Sequence, residues 1–255
     1  MKLLTTANTK IKKGESLGYY SSGIHLAPAK LSGFNTCQYA SIGCAAACLN
    51  TAGMGVYSTV QNARINKTKF FFNDKQMFLS SLYKEIQSAV KKAKKNDMIP
   101  CFRFNLTSDI PWESVMYQGK SMMQHFPDTI FYDYTKSVKR MIDFINGKFP
   151  ENYHLTFSRS ESNDAQTDLI MGMGGNVAVV FRKQLPATYK NKQVVDGDTN
   201  DLRFLDPSNC IVGLVDKGKA KKDDTGFVVD LTVVKHKEKF INKKISLAEF
   251  KLLKN

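Results

Sequence analysis

The chain has 255 residues, 42% of them hydrophobic and five of them cysteine, with a formal net charge of +14 from 37 basic and 23 acidic side chains. That length is enough to bury a core in one domain without disulfides, and an odd cysteine count argues against a disulfide framework. No run of 18 apolar residues is present, Met1–Asn8 lacks a signal-peptide core, and the charge favours anionic partners such as nucleic acid or a nucleotide, so a soluble, non-membrane protein is expected.

In chain order, Gly23–Pro28 reads as a strand ending at the proline, followed by the stretch Cys37-Gln38-Tyr39-Ala40-Ser41-Ile42-Gly43-Cys44-Ala45-Ala46-Ala47-Cys48. Asn73 or Asp74 caps an amphipathic helix in which Met77, Phe78, Leu82, Ile86 and Val90 recur at helical spacing and lysines close the last turn. Strands and helices then alternate. Cys101–Leu106 precedes a helix over Glu113–His125, Thr129–Tyr134 precedes Ser137–Asn146, and Tyr153–Phe157 precedes Asp164–Met173. Asn176–Phe181, a stretch from Val194 to Leu205, Cys210–Val215 and Gly226–Leu231 read as further strands. The repeat of roughly 25 residues is the size of a strand–helix crossover, which argues for a mostly parallel sheet in one α/β domain.

Three thiols within one loop are soft ligands suited to zinc, copper(I) or an iron–sulfur cluster. The alternative reading, cysteines as small apolar residues on a buried helix, explains Cys44 and Cys48 but not Cys37. With three local ligands one coordination position stays open, as in a [4Fe–4S] cluster with a free iron or a zinc ion holding water. Cys101 and Cys210 fall at the amino-terminal ends of their expected strands, away from the loop, and are expected not to ligate. Cys101 is the first candidate for a fourth ligand if the topology differs.

Polar residues follow the strands: Thr107-Ser108-Asp109, then Asp133-Tyr134-Thr135-Lys136, then Ser158-Arg159-Ser160-Glu161. In a (β/α) barrel or partial barrel these segments and the cysteine loop would meet at the carboxyl ends of the strands. Ser108, Asp109 and Glu113 would line the mouth, and Ser158, Arg159 and Ser160 would hold a carboxylate or ribose. Each position alone reads equally well as a helix cap or capping loop. The lysine runs at 91–95 and 217–222 suit solvated ends as well as a binding patch. The four histidines are dispersed, Asp196, Asp198 and Asp201 suit a turn better than a cation site, and Trp112 suits packing better than stacking on an adenine.

The segments Leu26-Ala27-Pro28, Asn35-Thr36-Cys37, Gly43-Cys44, Cys48–Gly53, Ala63-Arg64 and Lys67-Thr68, with Leu106–Glu113, Phe131–Lys136, His154–Ser160 and Asp196–Asp198, resemble the bacteriophage family catalogued as gene product 88. That family is in turn similar to radical S-adenosylmethionine proteins, in which a three-cysteine loop after the first strand of a partial barrel holds a [4Fe–4S] cluster whose free iron binds the cofactor. The resemblance implies such a cluster on Cys37, Cys44 and Cys48, S-adenosylmethionine as a candidate cofactor, and residence in the host cytoplasm. This chain departs from the common CxxxCxxC spacing with CxxxxxxCxxxC, and no Gly-Gly-Glu follows the second strand. The alternative class is a non-catalytic iron–sulfur or zinc protein that binds nucleic acid or a host partner.

Overall fold

The computed structural model describes residues 1–6 and 12–232. Its strands are β1 (Leu4–Thr5), β2 (Tyr19–Ile24), β3 (Ile99–Arg103), β4 (Ile130–Thr135), β5 (Tyr153–Ser158), β6 (Val177–Phe181), β7 (Thr188–Tyr189), β8 (Lys192–Asp196), β9 (Ile211–Val215) and β10 (Val228–Val229). The helices are α1 (Ile42–Ala46), α2 (Ser58–Asn73), α3 (Lys75–Lys95), α4 (Met122–His125), α5 (Val138–Ile145) and α6 (Asp164–Gly172).

The strands make one mixed ten-stranded sheet in the order β1-β2-β3-β4-β5-β6-β9-β8-β7, with β10 also on β6. From β2 through β8 all neighbours are parallel, and the short edge strands β1 and β7 are antiparallel to theirs. The sheet is therefore open. The β5–β6 ladder stops at Ser158 opposite Ala178, and β10 pairs with Val180 and Phe181 beyond it.

Alternation along the strands decides how the sheet is covered. Phe102, Phe104, Phe131, Leu155, Phe157, Val177, Val179 and Ile211 point to one face and pack with Phe71, Phe78, Leu82, Ile86, Met141 and Ile170 of the helices. Their neighbours Cys101, Tyr132, Ala178 and Val212 point to the other face, where the segment carrying Leu202 and Phe204 covers part of it. That second face is polar: Arg103 pairs with Asp201 at 2.9 Å and lies over the Tyr134 ring at 4.4 Å, and Ser21 Oγ meets Cys101 Sγ at 2.9 Å.

Most expected elements are present within a few residues. Asp74 caps α3 by accepting from Met77 N at 3.1 Å, and Ser137 caps α5 by accepting from Arg140 N. The helix expected over Glu113–His125 shrinks to α4. Gln118 and Gly119 take φ of +49° and +79° in a tight turn bridging Tyr117 and Lys120, a conformation a right-handed helix does not accommodate. The strand expected over Gly23–Pro28 is β2, which runs Tyr19–Ile24 and stops short of the proline, and Cys101 is the third residue of β3 rather than its first. The final strand is only Val228–Val229, and the tail at 233–255 together with His236 lies outside the described residues.

Candidate functional site

The chain leaves β2 and folds back on itself: Thr36 Oγ1 donates to Ala27 O at 2.7 Å, and Thr36 N donates to Ala29 O at 3.0 Å. Asp109 N then donates to Thr36 O at 2.8 Å, so the cysteine loop is pinned at its start to the segment that follows β3. Cys37 Sγ sits 3.8 Å from Thr107 O. Ser41 is the N-cap of α1, accepting from Cys44 N at 3.1 Å, and Cys48 opens the next short turn by accepting from Asn50 N at 3.5 Å.

The far side of the loop is held by β5. The Glu161 carboxylate accepts from Ser41 Oγ and from Gly43 N, each at 2.7 Å. Between these anchors Asp109 Oδ2 accepts from Lys136 N at 2.9 Å, and Lys136 Nζ donates to Ser158 Oγ at 2.7 Å. The loop thus lies across the carboxyl ends of β3, β4 and β5, tied to both flanks. Ser108, Asp109, Ser158 and the cysteines are brought to one end of the sheet.

All three thiols are partly buried. Burial is the main influence raising the pKa of Cys37, with Asp109 and Cys44 adding to it; burial likewise raises Cys48, with Cys44 and Cys37 adding and Arg64 opposing. The cysteines therefore sense one another electrostatically, and burial and mutual repulsion oppose ionising them together. Among the described residues no three His, Cys, Asp or Glu side chains are gathered closely enough to cage a metal ion.

The other expected site residues are committed within the protein. Arg140 takes Glu113 with both oxygens, Nε to Oε1 at 2.7 Å and Nη2 to Oε2 at 2.8 Å, and its Nη1 donates to Asp109 Oδ1 at 2.7 Å. Ser108 Oγ donates to Asn105 Oδ1 at 2.8 Å. Arg159 pairs with Asp164 at 2.9 Å and donates through Nη1 to the carbonyls of Gly226, at 2.6 Å, and Phe227, at 3.1 Å. Ser160 belongs to the capping loop, its N donating to Asn163 Oδ1 at 2.6 Å. Under this layer Tyr153 OH accepts from Arg140 Nη2 and donates to Asp133 Oδ2, both at 3.0 Å; burial pushes Asp133 up to about 7 against the pull of Asn105 N–H, Arg103 and Arg140.

Away from this end, Cys101 and Cys210 are buried on the second sheet face, where burial raises their thiols to about 12 and about 11. Asp201 pairs with Arg103, Asp198 pairs with Lys217 at 2.7 Å, and Asp196 accepts from Asp198 N within the turn. Trp112 is buried against Phe71, Phe78 and Phe104. Glu161, Lys136 and Arg140 were not singled out from the sequence. The first two stand in the polar segments that follow strands, and Arg140 is hidden in the first turns of an ordinary helix.

A family model described as Gene product 88 matches residues 2–231. The chain belongs to this phage gene product family. No curated protein and no solved structure matches the chain. For the Gene product 88 fold in this chain, no helix among the described residues is long and apolar enough to cross a membrane. The match takes in the cysteine loop and every strand from β1 to β10.

Proposed function

We propose that Cys37, Cys44 and Cys48 hold a [4Fe–4S] cluster with one iron open to an exogenous ligand, S-adenosylmethionine being the candidate cofactor, in a chain built as a partial barrel of the radical S-adenosylmethionine type. The observation that carries this reading is the placement of three partly buried thiols in one loop tied across the carboxyl ends of parallel strands. The donor set fits a soft metal centre. Burial and mutual repulsion keep Cys37 and Cys48 protonated on their own, and a bound cation would offset both while releasing the protons. A sheet with helices on one face and a polar opposite face also suits a partial barrel.

Such a cluster, when bound, supplies one-electron chemistry. The chain's own residues orient the loop: Thr36 and Asp109 fix its start, and Glu161 fixes α1 through Ser41 and Gly43. Gathering the thiols around one centre requires their side chains to turn inward from the arrangement described above. Lys136, bonded to Ser158 between these anchors, supplies a cation beside the loop.

The deciding experiment is anaerobic purification with iron, sulfide and zinc analysis, and spectra of the reduced protein with and without S-adenosylmethionine. About four irons and four sulfides per chain, with a paramagnetic signal perturbed by S-adenosylmethionine, are expected. Cys37→Ala, Cys44→Ala and Cys48→Ala should lose the iron, and Cys101→Ala and Cys210→Ala should keep it. Full iron in the first three variants overturns the site.

A second reading is favoured by one observation. The formal net charge of +14 favours anionic partners, and beside the loop a cleft of about 470 Å³, between Ala46, Ala47 and Thr51 and the lysine run, carries Lys219 and Lys222 together with Asp223 and Asp224. On that reading the centre is structural, zinc or iron–sulfur, and the cleft binds an anionic partner such as nucleic acid. One zinc per chain without sulfide, with salt-sensitive RNA or DNA binding lost in Lys219→Gln/Lys222→Gln, would select it.

A further inference from the structure

We infer that a second cleft, of about 330 Å³ and lined by Thr5, His25, Thr59, Val60, Ala63, Arg64 and Lys67, is a phosphate site in which Arg64 and Lys67 hold the anion and His25 Nε2 accepts a hydrogen bond from its P–OH group. The site lies at the end of β2 against α2, and it does not depend on a cluster at the cysteines.

The first observation is a buried charge that no carboxylate pairs with among the described residues. Arg64 is 7% exposed, yet among the described residues its side-chain partner is the neutral amide oxygen of Asn50, bonded to Nη1, and its Nε has no hydrogen-bond partner. A guanidinium removed from water without a counter-ion is costly, and an anion relieves that cost. Lys67 adds a second cation: its Nζ donates to Leu3 O at 2.9 Å, and it forms no salt bridge with a described carboxylate. Glu85, whose charge reaches Lys67, has its two oxygens on the amides of Leu3 and Leu4 at 2.8 and 2.7 Å.

The second observation fixes the histidine's role. Thr107 Oγ1 spends its proton on Leu26 O at 2.6 Å, so toward His25 Nδ1, 3.3 Å away, it is an acceptor. The ring proton is therefore on Nδ1, and Nε2 carries the lone pair. Burial, with Arg64, Arg103 and Lys67 adding, lowers His25 to about 3, so the ring that meets an incoming anion is neutral. Two cations with one acceptor select an oxyanion that retains a proton. Phosphate keeps one at neutral pH, and sulfate and carboxylates do not.

The test is calorimetric titration of the full chain with inorganic phosphate and, separately, sulfate. Phosphate is expected to bind at least tenfold more tightly than sulfate. Lys67→Gln and Arg64→Gln should each weaken phosphate at least tenfold, His25→Phe should erase the preference over sulfate, and Lys148→Gln, at an exposed lysine paired with Asp143, should change neither. If Arg64→Gln does not fold, Lys67→Gln decides, since Lys67 is only half-buried. Absence of phosphate binding, or binding unchanged in Lys67→Gln, overturns the site. Loss of bound iron in Arg64→Gln with no phosphate binding in the parent chain would assign Arg64 to the Cys48 thiolate instead, and overturns it equally.

Discussion

Glu161, just past the end of β5, holds Ser41 at 2.7 Å, so the N-cap of the cysteine helix is itself anchored by a carboxylate 120 residues away in sequence. The same carboxylate takes Gly43 N. Replacing Glu161 by Gln removes the charge from two hydrogen bonds, and a loss of about 1–2 kcal/mol is expected in denaturant unfolding. Amide exchange at Gly43 and Cys44 should speed up as well. Unchanged exchange there would mean that the loop is held by its other flank alone.

Gly43 leaves no room for a side chain. An added Cβ would collide with Thr225 Oγ1 and come within 2.7 Å of Phe227 Cβ and 2.9 Å of Glu161 Oε2. Gly43→Ala should therefore destabilise by about 1–3 kcal/mol through overpacking. Gly172→Ala in α6, where nothing lies within 4 Å, is the matched control and should be neutral or stabilising by about 0.5–1 kcal/mol. Similar melting temperatures for the two variants would contradict the close docking of the loop on 225–227.

Arg140, itself buried, is shared by two partly buried acids, Asp109 and Glu113. Arg140→Met strands both carboxylates, and a loss of about 3–5 kcal/mol is expected. Adding Asp109→Asn and Glu113→Gln to that variant should recover part of the loss, measured as a coupling in equilibrium unfolding. Strict additivity would show that the three residues do not act as a unit.

Asp133 gives the fold a pH dependence of known sign. Its folded pKa, about 7, lies above the ordinary aspartate value of 3.8. Between those values the folded state binds the extra proton, so its contribution is full below about pH 4, falls as pH rises, and is gone above about 7. Asp133→Asn should flatten the stability profile between pH 4 and 7. A wild-type profile that rises across this window, with no difference in the variant, would show Asp133 to be ionised in the folded chain.

The parallel order of the sheet was legible because strand-like and helix-like segments alternate at roughly 25 residues from β3 to β6, with the apolar strand faces packing on helices. Helix α2 was not. Its buried residues are Arg64, Thr68 and Phe71, so its inner face carries too little hydrophobic pattern to read as a helix. The start of β2 was hidden similarly, since Ser21 and Ser22 are buried polar residues with Ser21 bonded to Cys101. For the site, the convergence of post-strand segments followed from topology. Asn105, Asn163 and Asp164 are local partners of Ser108, Ser160 and Arg159, in keeping with a capping-loop reading, whereas Arg140 and the carbonyls at 226–227 reach Asp109, Glu113 and Arg159 only through the tertiary fold.

The pairing of β10 with β6 also sets an order of assembly. Arg159 must wait for carbonyls 67 residues downstream before its guanidinium is satisfied. At ordinary translation speeds that interval is roughly 3–13 s on the ribosome. Until then Val180 and Phe181 of β6 have β9 on one side and no strand on the other, and Gly43 has no Phe227 to pack against. A nascent chain stalled before residue 226 would display the cysteine loop with one of its walls missing.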